Sequence, residues 1–136
     1  EVPERETIAG RDVCELAETW GVTPWIMKKL VAAADLYLFQ TRSPVWIISG
    51  YRTKVEQDRL GVMGRPTAPD ERSTHRTCPA TGVDISLGAV VGREKKLLWG
   101  QLVQLVGLRW GGGSKADEHG IPSDWNHVDA GPRSSP

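Results

Sequence analysis

Gly82-Val83-Asp84-Ile85-Ser86-Leu87 is the run on which the fold turns. Its apolar side chains fall on every second residue, so a strand puts Val83, Ile85 and Leu87 on one face and Asp84 on the other. The first face belongs to a core. A carboxylate on the second, in a run otherwise so apolar, needs a partner: an arginine, backbone donors or a cation.

Upstream, Gly61 to Pro79 is rich in Gly, Pro, Thr, Arg and Asp. A loop this long is kept in compact domains for a purpose, and it carries Ser73 and His75. Before it, Pro44-Val45-Trp46-Ile47-Ile48-Ser49-Gly50 reads as a short buried strand closed by glycine. Tyr51-Arg52-Thr53 follows, with Thr53 placed to cap a helix running through Gln57 to about Leu60 and Glu56 in the capping-box position. Such a corner is a good place for function, although an arginine there is also an ordinary surface ion-pair partner. The chain begins with two helices. The spacing of Val13, Leu16, Ala17 and Trp20 predicts one from about Thr7 to Trp20, stopped by Gly21. Thr23 and Pro24 open the second, whose apolar pattern of Trp25, Ile26, Leu30, Val31, Ala34 and Leu38 continues to about Phe39. Trp20 and Trp25 are read as core or staple contacts.

Downstream, Gly92 to Gly107 is a helix with Leu97, Leu98, Gln101, Leu102, Leu105 and Val106 as its buried stripe and Trp99 capping that core. Leu108-Arg109-Trp110 is a short strand breaking into Gly111-Gly112-Gly113, and His119, in the polar loop beyond, is expected to be solvated. Then comes Asp124-Trp125-Asn126-His127-Val128-Asp129. A strand from Trp125 to Ala130 turns Trp125, His127 and Asp129 to the same side, with Asp124 at its mouth. The residues after Gly131 read as a tail.

A chain of 136 residues supports one domain, divided here into a helical part over 1–43, a core over 44–130 and a tail over 131–136. Acidic and basic residues balance at 17 each, so nothing draws the chain to nucleic acid or to an anionic membrane. No apolar run approaches the roughly 20 residues that span a bilayer, and no membrane insertion is expected. The opening residue is Glu rather than Met, as in a processed chain or an excised domain. Cys14 and Cys78 are expected to be structural, either as buried thiols or as one disulfide; alternatively Cys78, three residues after His75, reaches a metal bound there.

If His75, Asp84 and His127 converge, two imidazoles and a carboxylate form an N/O site suited to zinc, with a fourth position left for water. Asp124 then stands near enough to move a proton, and Arg52 to stabilise charge on an attacked carbonyl or to hold a substrate carboxylate.

Ser49-Gly50-Tyr51-Arg52-Thr53 with Gln57, Ser73-Thr74-His75 leading to Gly82-Val83-Asp84, Leu108-Arg109-Trp110-Gly111-Gly112, and Asp124-Trp125-Asn126-His127 together resemble the four motif blocks of the LAS peptidase family. That family includes D-alanyl-D-alanine carboxypeptidases and dipeptidases of the VanY and VanX type, and phage endolysins that cut the L-alanyl-D-glutamate bond. The resemblance spans about Trp46 to Ala130. It implies an α+β, hedgehog/DD-peptidase-like fold, in which a small antiparallel sheet carries a zinc site and helices pack on its other face. His75, Asp84 and His127 match the zinc ligands, one Zn2+ per chain. Asp124 matches the general base and Arg52 the arginine at the carbonyl oxygen, while Gln57 and Ser73 match positions near the substrate cleft. The chain departs from the pattern in the segment joining His75 to Asp84, which is longer by two residues. The implied function is hydrolysis of an amide bond in a peptidoglycan stem peptide by a monomer, as an endopeptidase or a carboxypeptidase. It would act at the bacterial cell wall as a secreted, periplasmic or phage-encoded protein. The alternative is a non-catalytic metal- or wall-binding module of the same fold.

Overall fold

The computed structural model describes residues 5–50 and 81–131. Arg52, Gln57, Ser73, His75 and Cys78, the helix expected from Thr53, the loop from Gly61 and the tail past Gly131 lie outside the described residues. What is described is a mixed helix and sheet fold with three α-helices. In chain order the elements are β1 (Glu6–Thr7), α1 (Val13–Trp20), α2 (Pro24–Thr41), β2 (Trp46–Ser49), β3 (Gly82–Ser86), α3 (Arg93–Leu105), β4 (Arg109–Trp110) and β5 (His127–Asp129). The strands form one antiparallel sheet in the order β1-β2-β3-β5-β4. β3 lies at its centre. Val83 pairs with Val128 and Asp84 with His127, while Ser49 stands opposite Asp84 across a bulge in β2.

One face of this sheet is the core. Ile47, Val83, Ile85 and Val128 are buried in a single apolar cluster with Leu16, Ile26, Met27, Leu30, Tyr37, Trp99 and Val103 of the helices. The alternation read for Val83, Ile85 and Leu87 is therefore observed, and Asp84 is on the opposite face. Gly100 lets α3 approach the strands: a Cβ there would stand 2.3 Å from the ring of Trp110.

Several expectations are corrected. The first helix begins at Val13, not Thr7, because Glu6 and Thr7 pair with β2, and the Glu6 carboxylate accepts a bond of 3.0 Å from Trp20 Nε1. Asp12 caps that helix. Trp25 is half exposed, with Lys29 Nζ 5.6 Å from the ring centroid, and Leu38 is also exposed; Met27, Ala33 and Tyr37 fill the core instead. On α3 the buried residues are Trp99, Gly100, Leu102 and Val103, and Leu105 is outside. Trp99 does not cap the core but sits within it, edge-on to Tyr37 with centroids 5.9 Å apart. Cys14 is a free, exposed thiol rather than a buried or bridged one, since α1 turns Leu16, Ala17 and Trp20 inward. No helix among the described residues is long and apolar enough to cross a membrane.

Candidate functional site

The polar face of the sheet converges on His127. Asp124 to Asn126 form a turn rather than strand, closed by the His127 amide donating to the Asp124 carbonyl at 2.9 Å, so Trp125 does not share the strand face as expected. That turn is held from outside. Ser114 Oγ accepts from the Asp124 amide at 3.1 Å, and the Trp125 carbonyl accepts from Trp110 Nε1 at 2.7 Å. Lys96 Nζ lies 4.7 Å from the Trp125 ring centroid. Asp124, the expected base, is half-buried at the first corner of this turn, three residues before His127.

From there β5 runs antiparallel to β3, and the register places His127 beside Asp84 with Nδ1 3.0 Å from Asp84 Oδ1. The other ring nitrogen, Nε2, is 2.7 Å from Asp129 Oδ2. His127 and Asp129 thus share a face, as period two requires. His127 is 7% exposed and Asp129 fully buried. Gly112, at φ 60°, makes room for the ring: a Cβ there would stand 2.8 Å from His127 Cδ2. Burial opposes a charged imidazole, yet hydrogen bonds to Asp129 and Asp84 and the charges of both outweigh it, raising the His127 pKa to about 9. Burial likewise works to raise the Asp129 carboxyl, but bonds from His127 and Arg109 hold it well below the usual carboxylate range.

No protein-family model matches this chain, and no curated protein matches it.

Of the residues singled out in the sequence, the structure brings Asp84 and His127 into contact and puts Asp124 on the turn that delivers His127. Arg52, Gln57, Ser73 and His75 lie outside the described residues. Among the described residues, no group of three or more His, Cys, Asp or Glu side chains is gathered to hold a metal ion. The pair present is a hydrogen-bonded histidine and carboxylate, donor types that suit zinc. Tetrahedral ligands at about 2.0–2.2 Å from zinc stand roughly 3.3 Å from one another, and the observed nitrogen–oxygen separation is 3.0 Å. His119 is apart from this face, on the surface with Arg93 Nη1 2.8 Å from its Nε2.

Sequence reasoning missed two residues. Arg109, read as part of a short strand and of one motif block but given no role, grips Asp129 with both arms of its guanidinium. Gly112, taken as part of a flexible loop, is packed against the imidazole. The signal available for Arg109 was a cation inside an otherwise apolar strand, which on a half-buried sheet calls for an anion across the ladder.

Proposed function

We propose that this chain is a zinc-dependent peptidase that hydrolyses an amide bond in peptidoglycan stem peptides, with a hedgehog/DD-peptidase-like sheet carrying one zinc held by His75, Asp84 and His127. The observation that carries this reading is the Asp84 and His127 pair: an oxygen and a nitrogen donor 3.0 Å apart on neighbouring strands, with the other imidazole nitrogen held at 2.7 Å by a buried carboxylate. Metal-binding histidines are ordinarily held in this way, one nitrogen facing the ion and the other donating to a carboxylate. The likeness of the four motif blocks to LAS peptidases supplies the third ligand and the substrate class.

A zinc ion at this position supplies Lewis acidity that makes water nucleophilic near neutral pH and polarises an amide carbonyl. Asp124 takes the proton of the attacking water and delivers it to the leaving amine, help worth roughly a hundred- to ten-thousandfold. Arg52 stabilises the negative charge that develops on the carbonyl oxygen, and its planar fork also suits a substrate carboxylate. By the same likeness, Gln57 and Ser73 are assigned to substrate binding.

Digestion of purified peptidoglycan followed by mass spectrometry of the products tests this. Zinc-dependent cleavage beside a D-amino acid is expected, and Asp124→Asn should keep zinc while losing at least a hundredfold in turnover. Release of a terminal residue identifies a carboxypeptidase, and internal cleavage an endopeptidase. A zinc-loaded chain that yields no products is a binding module, and an Asp124→Asn variant with full activity has its base elsewhere.

A further inference from the structure

We propose that Arg109 and Asp129 are a positioning couple that fixes the His127 imidazole with Nδ1 turned toward Asp84, ready for a metal ion. The proposal rests on the reading of Asp84 and His127 as zinc ligands and assigns to two further residues the task of orienting one of them.

Burial makes the Asp129 charge costly. A carboxylate with no exposed surface is tolerated only when its oxygens are fully paired. Here both are. Arg109 Nε donates to Oδ1 and Arg109 Nη2 to Oδ2, each at 2.8 Å, and the Gly131 amide donates to Oδ1 at 2.8 Å. A guanidinium and a backbone amide can only donate, so Asp129 is held as an acceptor at each oxygen. The last partner of Oδ2 is His127 Nε2 at 2.7 Å, and facing an acceptor it must be the donor. That choice commits the Nε2 proton to Asp129 and leaves Nδ1, 3.0 Å from Asp84 Oδ1, as the nitrogen turned toward the candidate metal position.

The ring is also confined in space. β4 places Arg109 directly opposite Asp129 on β5, and the glycine run that follows curls back over both partners. A Cβ at Gly112 would press on His127 Cδ2 at 2.8 Å, and one at Gly113 would approach Arg109 Nη1 to 3.1 Å. The guanidinium sets the carboxylate, the carboxylate sets the ring, and the glycines close over the assembly. In the sequence Asp129 reads as a residue on the same strand face as His127; the structure makes it a buried anchor.

The test uses zinc alone as probe, titrated into the intact chain against a competing chelator, with Asp129→Asn, Arg109→Leu and Arg109→Lys compared with the unaltered protein. Removing a hydrogen-bond partner of a metal-binding histidine typically weakens metal binding ten- to hundredfold, and that loss is expected for Asp129→Asn and Arg109→Leu. Arg109→Lys, which keeps the charge but not the fork, should fall between them and the unaltered chain. A chain that binds no zinc when unaltered overturns the zinc reading and this proposal together. Zinc bound equally well by folded Asp129→Asn and Arg109→Leu overturns the positioning role alone. Should Asp129→Asn fail to fold, long-range nitrogen–proton correlation spectra of the unaltered, zinc-loaded chain decide. The His127 ring is expected to carry its proton on Nε2 with Nδ1 bare of hydrogen, and the reverse pattern contradicts the proposal.

Discussion

The two faces of the central sheet are made by the same strands and held by opposite means. Val83, Ile85 and Val128 alternate with Asp84, His127 and Asp129 along β3 and β5. The first set is buried among helix side chains, where stability scales with apolar area and no contact is specific. The second set is half-buried to buried as well, yet each charge depends on a partner at hydrogen-bonding distance. An apolar face tolerates a missing methylene, whereas a chain of alternating charges loses two partners when one member is removed.

The sharpest way to break that contrast is a pair of near-isosteric changes. Asp129→Asn is expected to cost about 3–5 kcal/mol, since it strands Arg109 and His127 against a neutral amide. Ile85→Val, on the other face of the neighbouring strand, should cost only about 0.5–1.5 kcal/mol. Urea denaturation of both variants checks this, and equal losses would mean the polar face is no more demanding than the core.

Next in size is the pH dependence of the metal-free chain. The His127 pKa is raised to about 9 in the folded protein, above its ordinary value near 6.5. Its contribution is therefore complete below about pH 6.5 and is lost as pH rises through about 9, amounting to roughly 3 kcal/mol at most. Denaturation midpoints measured in the presence of a chelator should fall across that window. A flat profile would show that the imidazole is not held between two carboxylates in solution.

Gly112→Ala sharpens the comparison at the rim of the polar face. The left-handed backbone costs an alanine about 1–2 kcal/mol, and the new Cβ pushes on the His127 ring, so zinc binding should weaken as well. The smallest effect is expected for His119→Ala, within about 0.5 kcal/mol in stability and with no change in zinc binding. A loss of zinc there would show that the wrong histidine had been placed at the site.

The legible part of the fold was the part governed by period two. Val83, Ile85 and Leu87 announce their face because a strand leaves only two choices, and Asp84 and His127 each declared a polar side of the sheet. Their contact also depends on register, which two strands separated by more than forty residues do not reveal. Helix phase was less legible. In α3, apolar residues occur on nearly every side, and the large Trp99 takes the centre at the expense of Leu105, which packing against Tyr37 decides and spacing does not. Trp25 was misplaced for a related reason: an aromatic at the first turn of α2 satisfies helical spacing, but its ring meets Lys29 at the surface. At the site, the role of Asp129 was hidden because alternation gives a residue its face and not its partner, and the partner, Arg109, comes from another strand.

The central claim is that Asp84 and His127 are two corners of a zinc site, and the metal content of the purified chain measured beside that of an Asp84→Ala, His127→Ala double variant tests it most directly. One zinc per chain in the unaltered protein and none in the variant is the expected result. A folded, unaltered chain that takes up no zinc, or a double variant that keeps its ion, contradicts it.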